Sequence, residues 1–112
     1  PTSWPEIVDH CELMVCFGGM PLRNSQITNG GMGKHVQRDY MHRAKSAGVN
    51  FVNISPIRSD NAIGLGSDWI PIRPGTDVAL MLGLAFELYT NNLHNKAFLE
   101  RYCSGFDEFE NT

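Results

Sequence analysis

The chain has 112 residues, of which 42% are hydrophobic and 19% charged, the balance of a compact fold with one core and not of a disordered tail, a collagen or a coiled coil. Nine Lys and Arg against twelve Asp and Glu give a net charge of -3, and because the basic residues are scattered along the chain, we expect no nucleic-acid partner. The longest apolar run, Val78 to Phe86, is about half the roughly twenty residues that span a bilayer, so we expect no membrane segment.

The first half of the chain predicts a strand, a loop, a helix and a second strand. A short helix with Pro5 in its first turn leads in. The continuous apolar run Leu13 to Phe17 is typical of a strand buried on both faces of a parallel sheet. A polar loop through Gly33 precedes an amphipathic helix from His35 to Ser46, which Gly48 ends. Phe51 to Ile54 then completes a βαβ unit with parallel strands.

The second half predicts one short strand and two helices. Trp69 to Ile72 is a candidate third strand, at an edge because of Pro71. The helix predicted from Asp77 to Thr90 is apolar nearly all round, so we expect it to be buried on more than one side, which a domain this small can hardly achieve alone. A last helix runs from Asn95 to Tyr102, and the acids after it are predicted to form a solvated tail.

These elements predict an α/β fold: a Rossmann-like parallel β-sheet with flanking helices, in a single domain over residues 1–112. The absent initiating Met and the polar end at Thr112 suggest that the chain is an excerpt of a larger protein.

Several common catalytic motifs fail on their spacing. The stretch from Gly30 to His35 is not a nucleotide-hydrolase phosphate loop, because Thr28 and His35 stand where Gly and Ser or Thr are needed. The four histidines show no metal-ligand spacing, and no GxSxG sequence is present. We therefore predict no catalytic residue and no metal ligand in this chain.

The three cysteines are an odd number at unrelated spacings, which favours a reducing compartment over a disulfide framework or a zinc site. Cys11 and Cys16 lie in an apolar run, where buried, inert thiols are expected.

Three predicted loops share a position that favours ligand binding. In a parallel open sheet, ligands bind outside the carboxyl ends of the strands. The loops after the first two strands carry donors suited to phosphate and ribose, namely Arg23, Asn24, Ser25 and Arg58. Asp77, at the start of the apolar helix, could accept two hydrogen bonds from the edge of a guanine. The alternative is purely structural, with Thr76 as a helix cap, Asp77 as a favourable first-turn acid and Arg58 in a surface ion pair.

Four segments together resemble the molybdopterin oxidoreductases of the dimethyl sulfoxide reductase family, above all the branch with biotin sulfoxide reductase and trimethylamine N-oxide reductase. They are residues 17–26 (FGGMPLRNSQ), 53–58 (NISPIR), 73–83 (RPGTDVALMLG) and 98–106 (FLERYCSGF). Members of this family are several times longer and hold molybdenum between two molybdopterin guanine dinucleotides (bis-MGD). The resemblance implies that this chain is part of the Rossmann-like domain that binds the guanosine end of one dinucleotide.

The resemblance also assigns residues to that site. Matching positions imply cofactor contacts at Arg23, Asn24, Ser25, Ser55, Pro56, Arg58, Gly75, Thr76 and Asp77. Within this set, Asp77 would recognise guanine. Ser55 stands where the family more commonly has Asp, and a hydroxyl makes a weaker hydrogen bond there than a charged group.

The activity implied for the parent enzyme is reduction of a small S-oxide or N-oxide by oxygen-atom transfer. The serine expected to ligate molybdenum would lie upstream of Pro1, so the 112-residue chain alone is expected to be inactive and to depend on the rest of the parent polypeptide. Two alternatives stay open: a different parent, of the formate dehydrogenase or nitrate reductase type, and a stand-alone α/β interaction module. The cysteines favour a cytoplasmic location, with a periplasmic one if the parent carries an upstream twin-arginine signal.

Overall fold

The computed structural model describes residues 2–26, 33–61 and 65–110, which form two compact units, Pro1–Asp77 and Val78–Thr112. The elements of the first unit are α1 (Trp4–His10), β1 (Leu13–Phe17), α2 (Gln37–Ser46), β2 (Asn50–Ile54) and β3 (Asp68–Ile70), with 3-10 turns at Leu22–Gln26 and Arg58–Asp60. Helix α3 (Asp77–Thr90) leads into the second unit, which continues with α4 (Lys96–Tyr102) and α5 (Phe106–Glu110). The assignment of residues 1–112 to a single domain stays a prediction, and each unit is described by itself.

The first unit is built on a three-stranded sheet in the order β1-β2-β3. Both pairs of strands are parallel, with Val15 opposite Val52 and Val52 opposite Asp68. The predicted α/β class, the parallel pairing and the three strands are thereby confirmed, with strand bounds within two residues of the predicted ones.

One face of this sheet carries the core. Phe51 of β2 packs with Met41 and Ala44 of α2, and with Val49 and Leu65. Trp4 and Val8 of α1 and Met14 of β1 pack around this cluster. The helical spacing of Met41 and Ala44 places both side chains on the side of α2 that faces the sheet.

The opposite face of β1 is open, so the predicted burial of this strand on both faces is wrong for this chain. Successive side chains of a strand point to opposite faces. Cys16 is buried and Met14 packs against the core, whereas the side chain of Leu13 is 55% exposed and that of Val15 is also exposed. The cause is that α1 and α2 both pack on the other face, together with the buried cluster.

The connection from α2 to β2 is short and fully hydrogen-bonded. The Gly48 N–H donates to the Lys45 carbonyl at 3.1 Å, and the Val49 N–H donates to the Ala44 carbonyl at 3.0 Å. This pair of bonds is a Schellman motif, which requires the left-handed conformation that Gly48 adopts with φ +99°. The predicted stop at Gly48 is confirmed, and Val49 enters the core directly.

In the second unit, α3 has the predicted bounds, and its apolar side chains are left exposed, as expected of a helix that a domain this small can hardly cover alone. No residue of α3 is buried, and Val78 is 68% exposed. A helix that is apolar nearly all round needs neighbours on several sides. Within Val78–Thr112 the only other helices described are α4 and α5, each of seven residues or fewer, too short to cover it.

The acidic end of the chain forms helix α5, which was not predicted, and its acids Asp107, Glu108 and Glu110 are exposed, as expected for solvated charge. Gly105 turns the chain with φ +78°, and α5 follows at once. The Tyr89 hydroxyl at the end of α3 donates to the Glu110 carboxylate, and this hydrogen bond is the main reason why the pKa of Tyr89 is raised. The His94 ring stacks on Tyr89, with ring centroids 5.2 Å apart.

None of the described helices has the length and apolarity needed to cross a membrane.

Burial predicts which methionine matters for the stability of this chain. Met41 is fully buried, whereas Met81 on α3 is 44% exposed. We expect Met41→Ala to lower the free energy of unfolding by about 2–4 kcal/mol, from lost burial and the cavity left behind, and Met81→Ala to lower it by less than about 1 kcal/mol. Urea unfolding of both variants measures the difference, and equal losses would contradict the assignment of the core to α2.

Candidate functional site

Three loops leave the same edge of the sheet. Because all strands are parallel, the carboxyl ends of β1, β2 and β3, at Phe17, Ile54 and Ile70, lie along one edge. The first loop contains the 3-10 turn Leu22–Gln26 and the second contains the turn Arg58–Asp60. The third loop joins β3 to α3. We call this region the carboxyl edge.

The first two loops are joined by an ion pair between Arg23 and Asp60. The Arg23 guanidinium donates through Nη2 to the Asp60 carboxylate oxygen Oδ1. The Asp60 side chain is only 12% exposed and the Arg23 side chain is 62% exposed. The Asp60 carboxylate is therefore largely buried, whereas most of the Arg23 side chain is exposed to solvent.

The backbones of these two loops also touch. The Met20 N–H donates to the Asp60 carbonyl at 3.1 Å, and the Gly18 N–H donates to the Ile54 carbonyl at 2.9 Å. A Cβ on Gly19 would lie 2.7 Å from the Asp60 Cβ and 2.9 Å from its carbonyl oxygen, so only glycine fits. The amides of Gly18 and Met20 are therefore occupied within the protein.

Ser55 and Trp69 connect the second loop to β3. Ser55 is fully buried, and its hydroxyl donates to the Ile57 carbonyl at 3.0 Å. The Trp69 indole N–H donates to the Ser55 carbonyl at 3.0 Å. The Arg58 guanidinium carbon lies 5.9 Å from the centre of the Trp69 ring, within cation–π range. Trp69 thus supports both the strand-end turn and the exposed arginine.

The third loop is a tight turn that leads into α3. Gly75 has φ +81°. The Thr76 N–H and hydroxyl both donate to the Arg73 carbonyl, at 3.2 and 2.7 Å. The hydroxyl that could have capped α3 therefore closes the turn. Asp77 is half-buried and begins the fourteen-residue helix.

The predicted site residues fall into two groups. Hydrogen bonds through Asp60 and Trp69 bring together the loops that carry Arg23, Ser55 and Arg58. Gly75, Thr76 and Asp77 reach the same edge along the chain after β3. Asn24 and Pro56 are exposed in the first and second loops. The side chain of Ser25 lies outside the described residues, as do Thr28 and Gly30 of the rejected phosphate-loop pattern.

Two buried carbonyl oxygens lie in or next to the second loop without a partner among the described residues. They are Oδ1 of Asn53 and Oδ1 of Asn61. Asn53 is buried in β2, and its amide nitrogen donates to the Ser67 hydroxyl at 3.1 Å. A buried, unpaired acceptor is unfavourable unless a further donor reaches it, so these oxygens mark positions where a bound donor would add stability.

Asp60 and Trp69 are the two residues of this edge that sequence reasoning did not select. The sequence places Asp60 in the same loop as Arg58, after the second strand. It could not distinguish which arginine the acid would meet, because Arg23 lies 37 residues away. Trp69 was predicted in the third strand, but nothing in its neighbours indicated an indole N–H bond across to Ser55.

The cysteine prediction is confirmed for Cys16 and only partly for Cys11. Cys16 is buried, Cys11 is half-buried and Cys103 is exposed, and all three are free thiols. Desolvation raises the pKa of the Cys16 thiol, and the nearby Cys11 adds to the shift, so less reactive thiolate forms there. Among the described residues, no group of three or more His, Cys, Asp or Glu side chains could hold a metal ion.

Comparison with known proteins gives relatives over almost the whole chain. The chain is 39% identical over 108 residues to the dimethyl sulfoxide/trimethylamine N-oxide reductase of Cereibacter sphaeroides, covering 96% of this chain and 13% of the relative. It is 39% identical over 99 residues to the biotin sulfoxide reductase of the same organism, covering 88% and 13%. It is 38% identical over 104 residues to the dimethyl sulfoxide reductase DmsA of Escherichia coli, covering 93% and 12%. No protein-family profile matches.

Gly18 and Gly19 offer a matched test of the close approach between the loops. Both have positive φ, +82° and +83°, but a Cβ on Gly18 meets nothing within 4 Å. We expect Gly18→Ala to cost about 1–2 kcal/mol of unfolding free energy for the left-handed conformation alone, and Gly19→Ala to cost about 1–3 kcal/mol more because Asp60 must move. Urea unfolding distinguishes them, and similar losses would show that the loops do not touch at Gly19.

Proposed function

We propose, from the membership of this chain in the molybdopterin oxidoreductases of the dimethyl sulfoxide reductase family, that its carboxyl edge binds the guanosine end of a molybdopterin guanine dinucleotide. The chain spans about 13% of the length of the relatives named above. The parent enzyme that we propose around it reduces a small S-oxide or N-oxide. The relatives carry such substrates in their names, which favours this class over a formate dehydrogenase or nitrate reductase type.

The observation that carries the proposal is the meeting of the first two loops at one edge, each with an exposed arginine. Arg23 is held by Asp60, and Arg58 lies over Trp69. A pyrophosphate carries negative charge on oxygens that guanidinium groups bind through two parallel N–H donors. Since the backbone amides of Gly18 and Met20 are occupied, these two side chains are the donors best suited to the phosphates.

The residues present also fit a guanosine. A carboxylate can accept one hydrogen bond from the guanine N1–H and one from its exocyclic amine. Asp77 supplies such a group at the N-terminus of α3, where the helix dipole favours negative charge. Fully buried Ser55 supports this site through its turn, in place of the direct contact that the resemblance implied.

In this proposal the chain binds and orients, and the rest of the polypeptide carries the metal ligand. When bound, the cofactor supplies oxygen-atom transfer, in which molybdenum alternates between oxidation states IV and VI. The guanidinium groups neutralise the phosphates, and Asp77 selects guanine over adenine, whose edge presents an acceptor at N1. The remaining polypeptide is also the partner that we propose for the open face of β1 and for the exposed apolar side chains of α3.

The parent protein should therefore contain both molybdenum and guanine. We expect the purified full-length polypeptide that includes this chain to release guanine nucleotide on acid denaturation and to contain molybdenum by mass spectrometry. With a reduced low-potential dye as electron donor, it should reduce trimethylamine N-oxide or dimethyl sulfoxide and not nitrate. Nitrate reduction or formate oxidation would assign the parent to another class. A protein without guanine or molybdenum would support the stand-alone interaction module.

Asp77→Asn tests guanine recognition with little change in shape. The amide cannot accept both hydrogen bonds in place of the carboxylate, so we expect the guanine content per full-length polypeptide to fall about tenfold, the effect of losing one hydrogen bond to a charged group. Asp68→Asn is the matched control, since Asp68 is exposed at the amino end of β3, away from the carboxyl edge. Unchanged guanine content in Asp77→Asn would contradict the proposed site.

A further inference from the structure

We infer that Asp60 is a positioning residue, which holds the Arg23 guanidinium in place for a phosphate of the dinucleotide. This inference rests on the proposed function and adds to it a residue outside the nine positions that the family resemblance implies. Asp60 makes no direct contact with the ligand in this proposal. It acts through Arg23.

The unequal burial of the pair is the first argument. With its side chain 12% exposed, the Asp60 carboxylate has lost most of its hydration, so it depends on the arginine for compensation. The Arg23 side chain, 62% exposed, keeps most of its surface in solvent. A guanidinium has five N–H donors, and the contact from Nη2 to Asp60 Oδ1 uses one of them. The same group can therefore bind the buried acid and an anionic oxygen at once.

The backbone contacts around Asp60 are the second argument. Its carbonyl accepts from the Met20 N–H at 3.1 Å, and its Cβ leaves no room for a side chain on Gly19. The Asp60 N–H donates to the Ile57 carbonyl at 3.1 Å, within its own turn. Main chain and side chain of Asp60 thus contact the first loop at two separate places, which fixes the position of the carboxylate relative to the start of that loop.

The consequence for binding is pre-organisation. An arginine on a surface loop samples many rotamers, and ordering it on binding costs about 0.5–1.5 kcal/mol. The ion pair with Asp60 restricts these rotamers before the ligand arrives. Without the acid, Arg23 keeps its charge but loses its fixed direction, so the ligand should dissociate faster even though no ligand contact has been removed.

A double-mutant cycle on the full-length polypeptide tests this role. The variants are Asp60→Asn, Arg23→Gln and the two combined, with Asp68→Asn as the control for loss of one acidic charge. The rate of guanine-nucleotide release is followed by gel filtration at successive times, and the melting temperature of each variant is measured in parallel. We expect each single variant to release nucleotide about tenfold faster, the effect of one charge-assisted hydrogen bond, and the combined variant to release it no faster than Arg23→Gln alone.

Two results would overturn the inference. A rate of nucleotide release from Asp60→Asn within twofold of that from the unsubstituted polypeptide, with faster release from Arg23→Gln, would show that Arg23 needs no positioning. If the two substitutions accelerate nucleotide release additively in the combined variant, and the release rates follow the loss of melting temperature, Asp60 acts on stability alone. If Asp60→Asn does not fold, Asp60→Glu keeps the charge at a different reach, and an unchanged release rate in that variant would equally overturn the inference.

The outcome for Asp60 is separable from the outcome for the proposed function. Loss of guanine in Asp77→Asn together with unchanged release in Asp60→Asn overturns the positioning role only. No loss in Asp77→Asn overturns the guanine site, and the role of Asp60 with it.

Discussion

Parallel pairing of β1, β2 and β3 is the constraint on which the rest of the first unit depends. Antiparallel strands would send successive loops to opposite edges, whereas parallel strands send every loop after a strand to the same one. The register from Val15 to Val52 to Asp68 therefore brings together segments that are distant in sequence. All the polar contacts of the candidate site, from Arg23 to Trp69, follow from that arrangement.

Once the loops share an edge, hydrogen bonding decides which groups stay available. The amides of Gly18 and Met20 bond to carbonyls of the second strand and its loop, and Ser55 is enclosed by its own turn. A glycine-rich loop after a strand commonly offers N–H groups to phosphate. Here Gly19 instead allows the loops to approach each other, and the exposed side chains of Arg23 and Arg58 carry positive charge at this edge.

Much of the fold was predictable because local signals agreed with one another. The bounds of β1 follow from an apolar run that ends at a glycine pair, and those of α3 follow from a turn of Pro, Gly and Thr before an apolar helix. What covers each element was not predictable, since an apolar residue has the same identity whether a neighbour is present or not. Leu13 was therefore expected to be buried and is exposed.

For the candidate site, the loops that take part were predictable, but the contacts between them were not. Strand ends and motif positions indicated which loops take part, but ion pairs between distant loops depend on tertiary distances. The pairing of Arg23 with Asp60 and the indole bond from Trp69 to Ser55 are of this kind. Helix α5 was not predicted, because its acidic residues indicated only solvated charge. The hydrogen bond from Tyr89 to Glu110 joins positions 21 residues apart, which the local sequence does not indicate.

The three-residue connection Ala47–Val49 between α2 and β2 contains no spare residue. Its hydrogen bonds fix the end of the helix, and Val49 is already part of the core. One residue inserted or deleted there would shift β2 by a single position, and every side chain of the strand would change sides of the sheet. Phe51 would then leave the core for the open face, and Val52 would take its place, so this short connection is where the chain should tolerate a change of length least.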